Sequence, residues 1–337
     1  MKAPHHDYCQ FLLASPFNYT QTFLADHVAG LSHDKINRTM ASVTVSSADL
    51  WSSSQQTLVL SPSGYLLFDD TVLDKQHSHK IELVNKQYSG NAHKVIKGIG
   101  VVTCVYVNPD TEQFWGIDYR IYNPKDDGKT KLDFVEEMLD SAVNVKALAF
   151  KTVLMDSWYA SQYLMQRIEE YGKIYYTVVK KNRKVDETKG EKPYQRVEDL
   201  AWDNVSLAHG KLVKMHNFPA NHKVKLFRVT ALPNRTEYVV TNDIGQEDST
   251  DTNRICRIRW KIEEFHRELK QITGIESCQC RKAIQQRNHI GCAMLTWSSL
   301  KNMAYQTGKN VYQLCQSQYD DFMTALLAQP YLKLTFA

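Results

Sequence analysis

One stretch of the chain, residues 252–273, constrains the fold more than any other. At about 100° per residue, its apolar side chains fall in a single stripe on a helical wheel. The stripe contains Ile258, Ile262, Phe265, Leu269 and Ile272. A stripe of this kind is typical of a helix that packs on a core, so we predict that this helix covers one face of a larger domain.

A second face of the same helix carries charge beside the apolar stripe. It contains Cys256, Arg259, Glu263 and Lys270, which span roughly 60° of the wheel. A solvated helix usually scatters its charges or pairs them for solubility. Here one carboxylate lies between two cations at the edge of the core. That arrangement suits an acid that binds a metal ion while its neighbours hold a phosphate backbone.

Two apolar runs upstream carry further acids. Residues 65–73 predict a buried central strand that contains Asp69 and Asp70, and acids in such a strand are costly unless they are paired or bound to metal. Periodicity alone does not separate these two aspartates. Residues 151–159 predict a short strand ending in Asp156, with a helix directly after it. Asp156 in that place fits a metal ligand or a plain helix N-cap about equally well.

The charged helix resembles the last catalytic block of DDE transposases encoded by bacterial insertion sequences. In that subgroup the block is a tyrosine, two residues, an arginine, three residues, a glutamate, six residues and a lysine. Arg259, Glu263 and Lys270 match the last three places, and the run 259–266 is also similar to the family. Cys256 stands in the first place, where relatives have tyrosine.

The resemblance implies a fold and a chemistry. The fold is α/β, a ribonuclease H-like mixed sheet flanked by helices, over roughly residues 60–305. The family's first catalytic aspartate directly precedes a threonine, which selects Asp70, and the others are Asp156 and Glu263. These three acids would bind two Mg²⁺ ions, for which Mn²⁺ can substitute, and the enzyme would cut DNA and join its 3′-hydroxyls to a target.

The resemblance also implies the partners. These are double-stranded DNA, at the element ends and at the target, and a second copy of the chain in a homodimer on that DNA. Arg259 and Lys270 would hold phosphates near the scissile bond. Arg183, in the basic run 180–184, and Trp158, beside Asp156, are further expected DNA contacts. The other interpretations are a solvated loop for the basic run and simple packing for Trp158.

The order of predicted elements divides the chain into five parts. Residues 1–60 form a helical region, either a DNA-reading helix-turn-helix or a helical cap on the main domain, and its weak basic character favours the cap. Residues 61–184 begin the catalytic core, and residues 185–235 form a β-rich insertion. Residues 236–305 complete the core with the glutamate helix, and residues 306–337 form a C-terminal helix and tail.

Composition restricts the cellular compartment and the kind of partner that this protein can have. The 337 residues carry a net charge of +4, which is compatible with a nucleic-acid partner, and nine Lys or Arg lie between Arg254 and Arg287 against four Glu. Seven cysteines without a secretion signal indicate reduced thiols. No run of about 18 apolar residues is present, so no membrane partner is expected. These features predict a cytoplasmic protein, and the resemblance to transposases of bacterial insertion sequences implies a bacterial protein associated with the nucleoid.

Two alternative functions remain. One is a ribonuclease H-like nuclease with the same metal site and no strand transfer. The other is a DNA-binding protein derived from a transposase, in which the acids are structural. The presence of all three acids argues against the second alternative.

Overall fold

The computed structural model of the chain describes residues 5–15, 18–78, 80–90, 92–191, 193–232 and 235–329. Four short helices come first. They are α1 (His6–Ala14), α2 (Gln21–His27), α3 (His33–Ser42) and α4 (Ser47–Ser54). Their apolar side chains, among them Leu12, Leu24, Met40 and Leu50, join the same core as the long helix α11 (Ala283–Thr307). These four helices therefore pack on the main body of the molecule.

A large mixed sheet forms the centre of the molecule. Its strands are β1 (Tyr65–Asp74), β2 (Asn85–Ser89), β3 (Lys94–Val107), β4 (Phe114–Tyr122), β5 (Thr152–Met155), β6 (Ile174–Val179), β7 (Lys184–Asp186), β8 (Gln195–Arg196), β9 (Lys211–Met215), β10 (Val224–Leu232) and β11 (Arg235–Thr241). Within the described residues the order is β2-β3-β1-β5-β6-β11-β10-β9-β7-β8, with β4 paired to β3. The central strands β1, β5 and β6 run parallel.

The remaining helices cover both faces of the sheet. They are α5 (Pro124–Asp127), α6 (Lys131–Asp140), α7 (Gln162–Glu170), α8 (Asn204–His209), α9 (Ser249–Ile258), α10 (Trp260–Ile272) and α12 (Val311–Ala328). One core joins Leu67 and Leu154 of the sheet to Phe265 of α10. The other joins Phe68 to Phe134 of α6 and Leu164 of α7. This is the mixed sheet flanked by helices that the sequence predicts.

The register of the central strands brings two acidic positions to one edge. Leu67 of β1 lies beside Leu154 of β5, and Phe68 lies beside Met155. The next residues, Asp69 and Asp156, therefore follow at the same level, at the carboxyl end of β5 and beside the middle of β1, which continues to Asp74. Ligand sites in open α/β sheets lie at such ends, so this edge is where a functional site is expected.

Two details differ from the prediction. The helix expected over residues 252–273 is two helices, α9 and α10, with Arg259 between them. The Arg259 N–H bonds to the Cys256 carbonyl at 3.1 Å, and the Ile262 N–H bonds to the Arg259 carbonyl at 3.1 Å. This three-residue spacing tightens the turn and interrupts the α-helical ladder. The insertion also contains the short helix α8 among its strands. In the part of the chain that is described, no helix is long and apolar enough to cross a membrane.

Candidate active site

A cleft of about 1130 Å³ opens beside β1 at the level where β5 ends. The second half of β1, the loop after β5 and one side of α9 and α10 contribute to its walls. Its acidic lining residues are Asp69, Asp70, Asp156, Glu237 and Glu263. The cleft therefore gathers the three acids that the sequence predicts, together with two more.

Asp69 faces the helix that carries Glu263. Its partner across the antiparallel pair, Thr103, shares its side of the sheet, and the Thr103 hydroxyl bonds to Nε2 of His266 on α10 at 2.8 Å. Burial raises the pKa of the Asp69 carboxyl well above its ordinary value, and the neighbouring Asp70 and Glu263 raise it further. The surroundings of Asp69 therefore disfavour the ionised form of its carboxyl unless a cation compensates the charge.

Asp156 follows β5 directly and begins the loop to α7. Its carboxylate accepts a hydrogen bond from the backbone N–H of Ser157. Its carbonyl accepts bonds from the Tyr159 N–H at 3.0 Å and from the Thr177 hydroxyl at 3.4 Å. These bonds hold the turn after β5 at the edge of the sheet. The helix N-cap of α7 is Ser161, so the N-cap interpretation of Asp156 does not apply.

Arg259 lies among the acids of the cleft. Its guanidinium is 3.4 Å from the Glu263 carboxylate, and its side chain is 16% exposed against 40% for Glu263. Burial opposes its charge, but attraction to Asp156, Asp69, Glu263 and Glu237 outweighs that cost and raises the pKa of Arg259. A cation at the junction of α9 and α10 therefore partly balances the carboxylates.

Asp70 belongs to a different group of side chains. Its carboxylate accepts hydrogen bonds from Lys131 Nζ at 2.5 Å and from the Tyr159 hydroxyl at 2.6 Å. Lys131 is in α6, which covers the face of the sheet opposite α10. The sequence assigned the first metal ligand to Asp70, whereas the alternation of side chains along β1 turns Asp69, and not Asp70, toward Glu263.

Lys270 is bound to protein groups at the other end of the charged face. Its ammonium donates to the Val72 carbonyl of β1 at 3.0 Å and pairs with Glu276 at 2.9 Å. Its side chain is 17% exposed. In this structure Lys270 therefore ties α10 to β1, and its predicted contact with a phosphate stays a prediction.

Cys256, in the place of the family's tyrosine, lines the cleft beside Arg259. Burial raises the pKa of its thiol to about 12, with a further contribution from the negative charge of Glu237. The Cys256 thiol is therefore neutral at physiological pH, so it does not act as a thiolate nucleophile there.

Arg183 and Trp158 lie to one side of the carboxylates. The Arg183 guanidinium donates to the Ala160 carbonyl, and burial lowers the pKa of this arginine. The Trp158 side chain is 51% exposed and packs edge-on against the Tyr159 ring at 5.0 Å between centroids. Both predicted DNA contacts are thus next to the cleft and reachable from it.

The acids of the cleft suit a hard divalent cation by their chemistry. They offer carboxylate oxygens, which Mg²⁺ and Mn²⁺ prefer over nitrogen or sulfur. The raised pKa of Asp69 marks negative charge that a cation would relieve. Over the described ranges, however, no three His, Cys, Asp or Glu side chains converge closely enough to form a ready metal site. The carboxylate oxygens of the cleft are suitable ligands for Mg²⁺ or Mn²⁺, and these side chains have to move closer together to bind the ion.

Sequence reasoning missed Lys131, Tyr159 and Glu237. Lys131 and Tyr159 bind Asp70 from positions 61 and 89 residues away in the chain, and no local pattern marks either contact. Glu237 stands at the start of a predicted strand, where an acid is ordinary. The choice between Asp69 and Asp70 required knowing which face of β1 meets α10, and only the packed structure provides that.

Comparisons with known proteins agree with this picture. The family model described as Transposase DDE domain matches residues 62–298, which is more than half of the chain. A comparison with curated proteins gave no match.

Among solved structures, the cryo-EM structure of the piggyBac transposase synaptic complex with hairpin DNA is similar, at 12% identity and a TM-score of 0.50. The alignment covers 97% of this chain and 72% of that one. Endonuclease V from Ciona intestinalis, in complex with DNA, is 8% identical with a TM-score of 0.32, over 72% of this chain and 100% of that one. The piggyBac likeness concerns the fold, which is ribonuclease H-like as the sequence predicts.

Proposed function

This chain belongs to the transposase DDE domain family, and we propose that it cuts DNA at the ends of a mobile element and joins the freed 3′-hydroxyls to target DNA. The observation that carries this proposal is the presence of Asp69, Asp156 and Glu263 in the lining of one cleft, around Arg259. The substrate is double-stranded DNA, and the active form is a homodimer on that DNA, since two ends have to be joined.

The metal ligands are Asp69, Asp156 and Glu263, with Asp69 in place of Asp70. Support for this choice is the face of β1 on which Asp69 lies and the raised pKa of its carboxyl. Two Mg²⁺ ions, or Mn²⁺ in their place, would activate the attacking oxygen and stabilise the leaving oxygen when bound.

The other side chains of the cleft hold and orient the DNA. Arg259 loses part of its carboxylate contact when a cation joins the acids, and its guanidinium is then available to a phosphate near the scissile bond. Lys270 supports α10 through the Val72 carbonyl and adds a second positive charge to the lining of the cleft. No covalent bond between protein and DNA is required by these roles.

The direct test is Mg²⁺-dependent cleavage of a duplex that carries the element's terminal repeat. Glu263→Gln removes a metal ligand and keeps the shape of the side chain, so we expect cleavage to fall to background. Glu264→Gln is the matched control, because Glu264 is the next residue of α10 and pairs with Lys261 at 3.4 Å and Lys301 at 3.7 Å. Its activity should stay close to that of the wild type.

The products separate the proposal from its alternatives. Joined target molecules that depend on the terminal repeat support the transposase. Cleavage that is lost with Glu263→Gln but gives no joined product indicates a nuclease. Repeat binding without cleavage in any protein indicates a DNA-binding relative, and equal cleavage in all three proteins indicates a contaminant.

A further inference from the structure

A second groove, of about 410 Å³, lies beside the active cleft. The two share Ser157, Trp158 and Lys180 in their linings, so they are continuous. We call this second space the side groove. Its polar lining beyond the shared residues includes Asn182, Arg183, Lys184, His216 and Asn217.

The side groove is positively charged. Lys180, Arg183 and Lys184 line it, and its lining contains no carboxylate. Lys180 and Lys184 are exposed, and neither forms an ion pair with any residue that the structure describes. In the cleft, by contrast, Lys131, Arg259 and Lys270 are each paired with an acid. The unpaired lysines of the side groove thus lie beside the carboxylates, and among the described residues Lys86, Arg257 and Arg267 of the cleft lining also form no ion pair.

Backbone hydrogen bonds give the side groove a fixed shape. The Arg183 N–H bonds to the Lys180 carbonyl at 2.9 Å and closes the turn between β6 and β7. The His216 N–H bonds to the Lys184 carbonyl at 3.0 Å and ties the loop after β9 to that turn. The Arg183 guanidinium, bonded to the Ala160 carbonyl, links the same turn to the segment before α7. A groove built in this way is formed before any ligand arrives.

Trp158 stands where the cleft meets the side groove. Its indole is 51% exposed, while Tyr159 packs against its ring and the Lys131 ammonium lies 5.7 Å from its centroid. A large aromatic ring that is supported from below and open above is a platform for a nucleobase. Proteins that bind single strands combine such platforms with a positively charged groove that follows the backbone.

We propose that the side groove binds the sugar–phosphate backbone of one unpaired DNA strand that leaves the active cleft, with a base of that strand stacked on Trp158. A volume of this size suits a ligand of nucleotide dimensions. The proposal rests on the proposed function in one respect, namely that the polymer in the cleft is DNA.

The test compares two labelled probes that share one duplex sequence, one blunt and one with a single-stranded flank. Binding to the full-length protein is measured by fluorescence anisotropy at several salt concentrations in EDTA. The test variant is the double substitution Lys180→Gln with Lys184→Gln. The matched control is Lys125→Gln with Lys309→Gln, which removes the same charge from two exposed lysines outside both linings.

We expect the wild type to prefer the flanked probe. The test variant should lose about tenfold in affinity for that probe and reduce the slope of log K against log salt by about 1.4, as for two contacts to a single strand. The control should change neither value. Trp158→Leu should weaken flanked binding by about tenfold at an unchanged salt slope, and Trp158→Phe should restore most of the loss.

Three results would overturn the inference: a wild type without preference for the flank, equal losses on both probes, or a test variant that matches its control. The cleavage assay reports on the proposed function separately. If the protein never cleaves DNA but prefers the flanked probe, and the test variant loses that preference, the proposed chemistry is refuted. The proposed role of the side groove is then still supported.

Discussion

Asp69 and Asp70 are adjacent, yet the pleat of β1 turns their carboxylates to opposite faces of the sheet. Asp70 is held by Lys131 and Tyr159, whereas Asp69 faces α10 and the acids of the cleft. Tyr159 belongs to the loop that begins at Asp156. We propose that Asp70 is a positioning residue, because it binds Tyr159 in the loop that carries Asp156 and orients that loop without binding the metal itself.

This division of roles predicts different losses for the two amide substitutions. Asp69→Asn should reduce cleavage to background and also weaken Mn²⁺ binding measured by calorimetry. Asp70→Asn should retain Mn²⁺ binding and lower the cleavage rate by about ten- to a hundredfold, because it loosens the Asp156 loop and removes no ligand. Loss of Mn²⁺ binding in Asp70→Asn, with normal binding in Asp69→Asn, would return the ligand role to Asp70.

At the scale of elements, a buried polar network fixes the orientation of α10 against α11. The Glu268 carboxylate is 4% exposed and accepts from Trp297 Nε1 at 2.7 Å and from Lys301 Nζ at 3.0 and 3.1 Å. Burial raises the pKa of Glu268, although Lys301 and Trp297 oppose that rise. Since α10 carries Glu263, this network also orients the catalytic face of the helix.

Removing one partner of this buried network should therefore lower the free energy of unfolding. Lys301→Met leaves the Glu268 carboxylate buried without its cation, and we expect a loss of about 3 kcal/mol in the free energy of unfolding. Adding Glu268→Gln to that variant should recover part of the loss. Lys261→Met, in α10, is the control. Lys261 is 33% exposed, and its pair with Glu264 contributes about 0.5 kcal/mol or less to stability. Urea denaturation gives all four values, and equal losses for the two single lysine variants would contradict the account.

At the scale of the whole molecule, periodicity and composition predict most of the elements. The strand predicted at residues 65–73 corresponds to β1 (Tyr65–Asp74), and the short strand predicted before Asp156 corresponds to β5 (Thr152–Met155). These segments are long or strongly patterned, so local sequence is enough to define them. The family resemblance adds the order in which they pack into a ribonuclease H-like sheet.

The features that the sequence did not predict are those that depend on how the helices and strands pack. The face of Asp69, the pair of Lys131 with Asp70 and the contact between the Lys184 and His216 segments all depend on which elements meet across the sheet. The break at Arg259 contains neither proline nor glycine, so no residue type marked it in advance. The sequence therefore located the cleft, whereas the assignment of its ligands required the fold.

His289 connects three distant parts of the molecule. Its ring, in α11, contacts the Tyr8 hydroxyl of α1 at 2.9 Å and the Gly274 carbonyl after α10 at 3.1 Å. Burial lowers the pKa of His289 to about 4, and the positive charge of Lys75 contributes to that shift. The folded protein therefore keeps this ring neutral at pH values where the unfolded chain, with a pKa of about 6.5, takes up a proton.

The free energy of unfolding should therefore decrease as the pH falls through this range. Between about pH 6.5 and pH 4 the unfolded state binds more protons, so the stability that is present above pH 6.5 is lost as the pH falls, by up to about 3 kcal/mol for this ring. His266, with a pKa lowered to about 3 by burial and Lys270, acts in the same direction. His289→Asn should therefore reduce, and not abolish, the slope of unfolding free energy between pH 7 and pH 5.

Urea denaturation across that pH range tests the prediction, with His33→Asn as the control. The His33 side chain is 52% exposed, so its replacement should leave the slope as in the wild type. If His289→Asn and the wild type lose stability in parallel, His289 is not held neutral by the fold. The junction of α1, α11 and the segment after α10 would then have to admit a charged ring, which its burial and its two hydrogen bonds do not favour.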